Sequence, residues 1–157
     1  MALYLTDSSI WIGARNRPGT YLPTLLADRL SQDAIATCVP VALEVLMGPP
    51  TGAEVDRQWD AVWKNIHWLA VTTTEMERAL DLLRSLAHAK AGAHRRRPID
   101  YVIAAVAEAE ARSGRDVVVW HWDSDLTVIC DHAGIPHEAE HVRAREHGIN
   151  VQPGQQS

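Results

Sequence analysis

The sequence contains no phenylalanine, two lysines and two cysteines in 157 residues. Cys38 and Cys130 cannot build a multi-disulfide scaffold. Each sits among apolar neighbours, the setting of a buried thiol in a reducing compartment. No apolar run approaches the ~20 residues that span a bilayer. The N-terminal segment MALYLTDSSIW lacks the basic start and long apolar stretch of a signal peptide, which predicts a cytoplasmic location. There is no glycine-rich phosphate loop, nucleophile elbow or HExxH motif. There is also no internal repeat and no linker. A net charge of -5 excludes a general nucleic-acid coating protein. It leaves room for an enzyme that grips RNA through a local basic patch.

The chain is 46% hydrophobic and 22% charged, the balance of a globular protein. Its length suits one domain, expected over residues 1–145. The polar end, 146–157, reads as a flexible tail. Strand and helix signals alternate along the chain. Leu3–Thr6, Ala34–Cys38, Trp68–Val71 and Val117–Trp120 read as strands, and His137–Val142 as a last edge strand. Helices are expected over Tyr21–Arg29, Val41–Met47 (with Thr37 as a cap), Ala53–Lys64, from a Thr74/Glu77 capping box to about Lys90, and over Ile99–Arg112 and Leu126–Ala133. This order predicts an α/β three-layer sandwich with a central, mostly parallel sheet flanked by helices.

Sites in such folds gather at the carboxyl ends of strands. Asp7 directly follows the first strand, and Asp123 follows the apolar run VVVW. Glu44 lies inside VPVALEVLMG, and Asp100 inside RPIDYVIAAVA. An unpaired carboxylate among apolar residues is costly. Pairing with a cationic side chain offsets that cost, and so does a divalent cation. Mg²⁺ takes oxygen ligands from a few carboxylates, and such an ion supports phosphodiester hydrolysis. Each acid also has a plain structural reading. Asp7 suits a helix cap, Glu44 a solvent-facing helix position, Asp100 the first turn of a helix, and Asp123 with Asp125 a polar turn.

Four blocks in order, YLTDSSIW, PVALEVLMG, RPIDYVIAAVA and VVVWHWDSDLTVI, resemble the PIN-domain ribonucleases, specifically the VapC-like toxins of toxin–antitoxin pairs. The resemblance runs to about Val142. It places the family's acids on Asp7, Glu44, Asp100 and Asp123, with a second acid at Asp125. The supporting hydroxyl falls on Ser9 or Ser8, and Ser9 is the expected one. Leu126 stands where the family often has an aromatic. The resemblance implies an endoribonuclease that depends on Mg²⁺ or Mn²⁺, a homodimer, and a cognate VapB-like antitoxin. Asp7, Glu44, Asp100, Asp123 and in part Asp125 would be the metal ligands. The start of its helix is expected to help keep Asp100 ionised.

Lys90, Arg95, Arg96 and Arg97, with His94, cluster just before Asp100. They read either as RNA-phosphate contacts or as a solvated loop. Arg15 and Arg17 form a weaker second group. Among the six tryptophans, Trp11, Trp120 and Trp122 flank the candidate site. Core packing and base stacking are both open to them. Trp59, Trp63 and Trp68 suit packing between the middle helices or an antitoxin groove. Cys130, His132, His137 and His141 have the ligand types of a zinc site but no common zinc spacing. Two other readings are a PIN-fold protein that processes or binds RNA without being a toxin, and an unrelated doubly wound protein with an acidic Mg²⁺ site. A receiver domain of the latter kind needs a late lysine at a strand end, and neither Lys64 nor Lys90 is so placed.

Overall fold

The computed structural model describes residues 1–146. The tail expected over 146–157 lies outside the described residues from 147 onward. Five strands, β1 (Leu3–Thr6), β2 (Ile35–Thr37), β3 (His67–Trp68), β4 (Val117–His121) and β5 (His137–Ala139), form one sheet in the order β3-β2-β1-β4-β5. Every neighbouring pair is parallel. The helices are α1 (Ser8–Asn16), α2 (Leu22–Ser31), α3 (Val39–Leu46), α4 (Gly52–Ala61), α5 (Thr73–Ala89), α6 (Pro98–Arg112), α7 (Ser124–Ala133) and α8 (Glu140–Glu146). The fold is therefore α/β, with an all-parallel sheet flanked by helices.

Alternation along the strands explains the layers. Leu5 pairs with Ala36 and Val119 in register, and these side chains face a large core built with α3, α5, α6 and α7. Ile35 and Trp120 turn to the other face and pack with Ile10, Leu22 and Leu26 of α1 and α2. A sheet buried on both faces needs apolar residues at nearly every position, which is why β2 and β4 read as continuous apolar runs. α6 is buried without interruption from Asp100 to Ala107. Its alanines let it lie close to β4 with α5 and α7 on either side.

The chain departs from the expected boundaries at identifiable places. The capping box of α5 is Thr72 with Glu75, two residues earlier than expected. Thr37 does not cap α3. Cys38 holds that position, and the Thr37 hydroxyl donates to its carbonyl instead. The helix over Ala53–Lys64 breaks at Val62, and a 3-10 turn, Trp63–Asn65, buries Trp63 beneath the sheet edge. The β3 ladder covers only His67–Trp68. The last strand ends at Ala139, because Glu140 begins a helix. Among the described residues, no helix is long and apolar enough to cross a membrane.

Strand β1 is central. The chain builds outward to β2 and β3 on one side, then crosses to β4 and β5 on the other. The switch point of this topology therefore lies between β1 and β4, and the crevice beyond their carboxyl ends is where open parallel sheets bind ligands.

A buried carboxylate fastens the β5 edge. Glu140 is fully buried and accepts hydrogen bonds from the Tyr21 hydroxyl (2.5 Å), Trp120 Nε1 (2.7 Å) and Arg143 Nη1 (3.0 Å). Glu140→Ala leaves the buried Trp120 indole N–H and the half-buried Tyr21 hydroxyl without an acceptor and should destabilise the fold by about 3 kcal/mol. Glu140→Gln, which keeps an acceptor oxygen, should lose less. Urea denaturation of both variants checks the order, and an alanine variant as stable as the parent would show that these bonds contribute nothing.

Candidate functional site

Asp7 and Asp123 sit on either side of the switch point because each serves two local demands. Asp7 leaves β1 and caps α1. Its Oδ2 accepts the Ser9 amide at 3.1 Å, and its own amide donates to the Trp120 carbonyl at 3.0 Å. Asp123 leaves β4 and caps α7, with Oδ1 accepting the Asp125 amide at 2.7 Å. Capping fixes the side chains that would otherwise turn freely to solvent. Glu44 reaches the same region from α3. Its Oε2 accepts the Ser8 hydroxyl at 2.6 Å, and the same hydroxyl lies 3.3 Å from Asp7 Oδ1.

Asp100 is the third residue of α6 and is fully buried. Neither carboxylate oxygen has a hydrogen-bond partner. Its nearest cation is Arg97, whose Nε lies 4.0 Å from Oδ1. Burial pushes the Asp100 carboxyl up to about 7, the charges of Asp7, Asp123 and Asp125 add to the rise, and Arg97 opposes it. The helix-start position was expected to keep Asp100 ionised. Desolvation and the three neighbouring acids outweigh that field.

Arg97 stands among the acids. Its Nη2 lies 2.8 Å from each oxygen of Glu44. Burial works against the guanidinium, but Asp100, Glu44, Asp7 and Asp123 hold its pKa above the ordinary value. The preceding Arg96 pairs with Asp125. Two of the four basic residues expected to face RNA thus turn inward to carboxylates. Lys90 and Arg95 stay exposed.

The expected hydroxyl at Ser9 has a different task. Its Oγ accepts the Trp122 amide at 2.9 Å and ties α1 to the end of β4. The hydroxyl that touches the acids is Ser8. Trp120 is core, and Trp11 stacks on Trp63 with ring centres 4.8 Å apart. Trp122 carries the Arg17 guanidinium 5.0 Å from its ring centre.

The histidine-rich segment does not assemble as a zinc set with Cys130. That thiol is buried, and burial pushes its pKa up to about 12. His132 contacts the Ser85 hydroxyl at 2.8 Å. The residue that sequence reasoning missed is His121, fully buried at the end of β4, with Nε2 3.1 Å from His137 Nδ1. Burial and the neighbouring His137 push its pKa down to about 4, so the imidazole is neutral. Its place two residues before Asp123 was the available signal.

Hard cations such as Mg²⁺ and Mn²⁺ take carboxylate oxygens. The donor types suit that chemistry: the two Asp100 oxygens are buried and free of hydrogen-bond donors, and Asp7 and Glu44 are linked through the Ser8 hydroxyl. Among the described residues, no three His, Cys, Asp or Glu side chains are gathered tightly enough to hold an ion together. For Glu44 to join Asp100 as a ligand it must first leave Arg97. No model of a known protein family matches the sequence, and no curated protein gives a significant match.

The raised Asp100 carboxyl has a consequence for stability. Between pH 4 and 7 the folded chain holds a proton here that the unfolded chain has lost, so stability falls as pH rises across that window. Asp100→Asn removes the penalty. In EDTA the variant should match the parent near pH 4 and exceed it above pH 7 by up to about 4 kcal/mol. Denaturation series at several pH values give the difference, and a constant gap would mean that Asp100 titrates normally.

Proposed function

We propose that the chain is a Mg²⁺- or Mn²⁺-dependent endoribonuclease of the kind its sequence resembles, a PIN-domain toxin of the VapC type. One observation carries the reading. Beyond the switch point of a parallel sheet, Asp100 is fully buried with neither oxygen satisfied by a donor, and the charges of Asp7, Asp123 and Asp125 are near enough to act on it. A structural carboxylate in such a place would be paired. One left bare suits a ligand.

Asp7, Glu44, Asp100 and Asp123 are the residues that would hold the ion, with Asp125 beside them. A divalent cation there supplies charge neutralisation and activates water for attack on a phosphodiester. The chain's own groups do the rest. The helix caps hold Asp7 and Asp123 in fixed orientations, and the Ser8 hydroxyl fixes the spacing of Asp7 and Glu44. Lys90 and Arg95, exposed at the loop that leads into α6, provide positive charge for the RNA backbone. The reading brings its partners with it. These are an RNA substrate, a VapB-like antitoxin and a second copy of the chain. Val39, Leu43 and Met47 form an exposed apolar stripe along α3, which supports a partner with an apolar face.

The test is cleavage of total RNA by the purified chain with Mn²⁺ or Mg²⁺, and again with EDTA. Asp7→Asn and Asp100→Ala should each lower the rate by about 100-fold or more, as loss of a transition-state contact does. Cleavage that survives EDTA, or that both variants retain at the parental rate, would refute the assignment. Metal-dependent cleavage lost in both variants would establish it.

A further inference from the structure

We propose that Arg97 is an internal counter-ion that competes with the divalent cation. Its guanidinium lies between Glu44 and Asp100 and must leave before one ion can take both carboxylates. The inference rests on the metal-binding reading of this site and concerns how that site is kept closed.

Three observations carry it. A single nitrogen, Nη2, serves both Glu44 oxygens at 2.8 Å each, while Nε stays 4.0 Å from Asp100. Two parallel N–H···O bonds make the strong arginine–carboxylate pair, and here one nitrogen is shared, so the contact is an imperfect one. Second, Arg97 leaves Asp100 without any hydrogen bond although Asp100 is fully buried. The guanidinium therefore balances charge without satisfying the carboxylate it faces, and a small cation with oxygen affinity would satisfy it better. Third, the Arg97 side chain is 43% exposed, so a path to solvent is open. Its backbone caps α6 in an extended conformation, and its side chain takes no part in that cap.

The loop itself is anchored. Arg96 Nε donates to the Ala93 carbonyl at 3.0 Å, and the Tyr101 hydroxyl donates to the His94 carbonyl at 2.8 Å. Only the Arg97 side chain needs to move, since its backbone cap of α6 and the loop's own hydrogen bonds do not involve the guanidinium. A guanidinium displaced from the acids would then be available to an anion, and its planar donor fork suits a phosphate.

Calorimetric titration with Mn²⁺, in the absence of RNA, tests this directly. Arg97→Gln removes the competing charge and should bind Mn²⁺ about tenfold more tightly than the parent, since like charges repel strongly at this range. Arg97→Lys keeps the charge and should stay within about twofold of the parent. Asp100→Asn should lose the binding and so locates it. Thermal melting gives a second readout. In EDTA the glutamine variant should melt below the parent, because Glu44 has lost its partner, and Mn²⁺ should raise its melting temperature by more. Parental or weaker Mn²⁺ affinity in Arg97→Gln overturns the competition while leaving the metal site intact. No Mn²⁺ binding in either protein overturns both.

Discussion

An ionised carboxylate removed from water is costly unless donors or a cation replace its hydration, and Asp100 has no donor within hydrogen-bonding distance. The architecture around it follows from that constraint. α6 is buried from Asp100 to Ala107, and the Asp100 carboxyl is shut off from solvent. The caps of α1 and α7 bring two more acids to the same crevice. Added negative charge raises the cost again. The chain answers with consecutive arginines in the loop before α6, Arg96 against Asp125 and Arg97 against Glu44. The crevice is thus held together by imperfectly matched opposite charges, and such an arrangement responds strongly to any added cation or anion.

Much of this could be read from residue order. Asp7 and Asp123 were recognisable because an acid at a strand end that opens a helix is placed by two local rules at once. Glu44 and Asp100 stood out as charges inside apolar runs. Asp100 proved buried, and Glu44 half-buried behind Arg97. What was not legible depends on contacts between distant segments. Thr72 with Glu75 and Thr74 with Glu77 both fit a capping pattern, and only the entry of the chain from β3 selects the first. Ser8 and Ser9 are adjacent on a helix and point about 100° apart, so sequence cannot say which one meets Glu44, 36 residues away. The basic loop misled for the same reason. Charge is visible in a sequence, but its partner is not, and Arg96 and Arg97 had partners 29 and 53 residues distant.

Asp7, Asp100 and Glu140 are all fully buried carboxylates, and the comparison of Glu140 with Asp100 is informative. Glu140 meets a tyrosine hydroxyl, an indole N–H and an arginine, and nothing of it is left unsatisfied. Beside it, Arg29 lies between the rings of Tyr4 and Trp120, at 3.5 and 4.2 Å from their centres, and pairs with Glu138 at 2.7 Å. Glu140 thus shows how this sequence satisfies a buried carboxylate at the β5 edge, although the neighbouring Arg29 leaves its Nη1 without a hydrogen bond. The same chain, with all but two of its 15 basic residues as arginine, leaves Asp100 bare. His121 shows the same economy of donors. His137 Nε2 lies 2.9 Å from Asp131 Oδ1 and its Nδ1 lies 3.1 Å from His121 Nε2, while the buried His121 Nδ1 has no hydrogen-bond partner. Among the described residues, Asp100 is the carboxylate with both oxygens buried and without a hydrogen bond, whereas the Arg29 guanidinium on the other face of the sheet leaves only Nη1 unsatisfied. Stability alone favours the paired arrangement everywhere. A carboxylate with both oxygens buried and bare departs from that rule, and it stands in the crevice beyond β1 and β4 where the metal-binding proposal would place an ion.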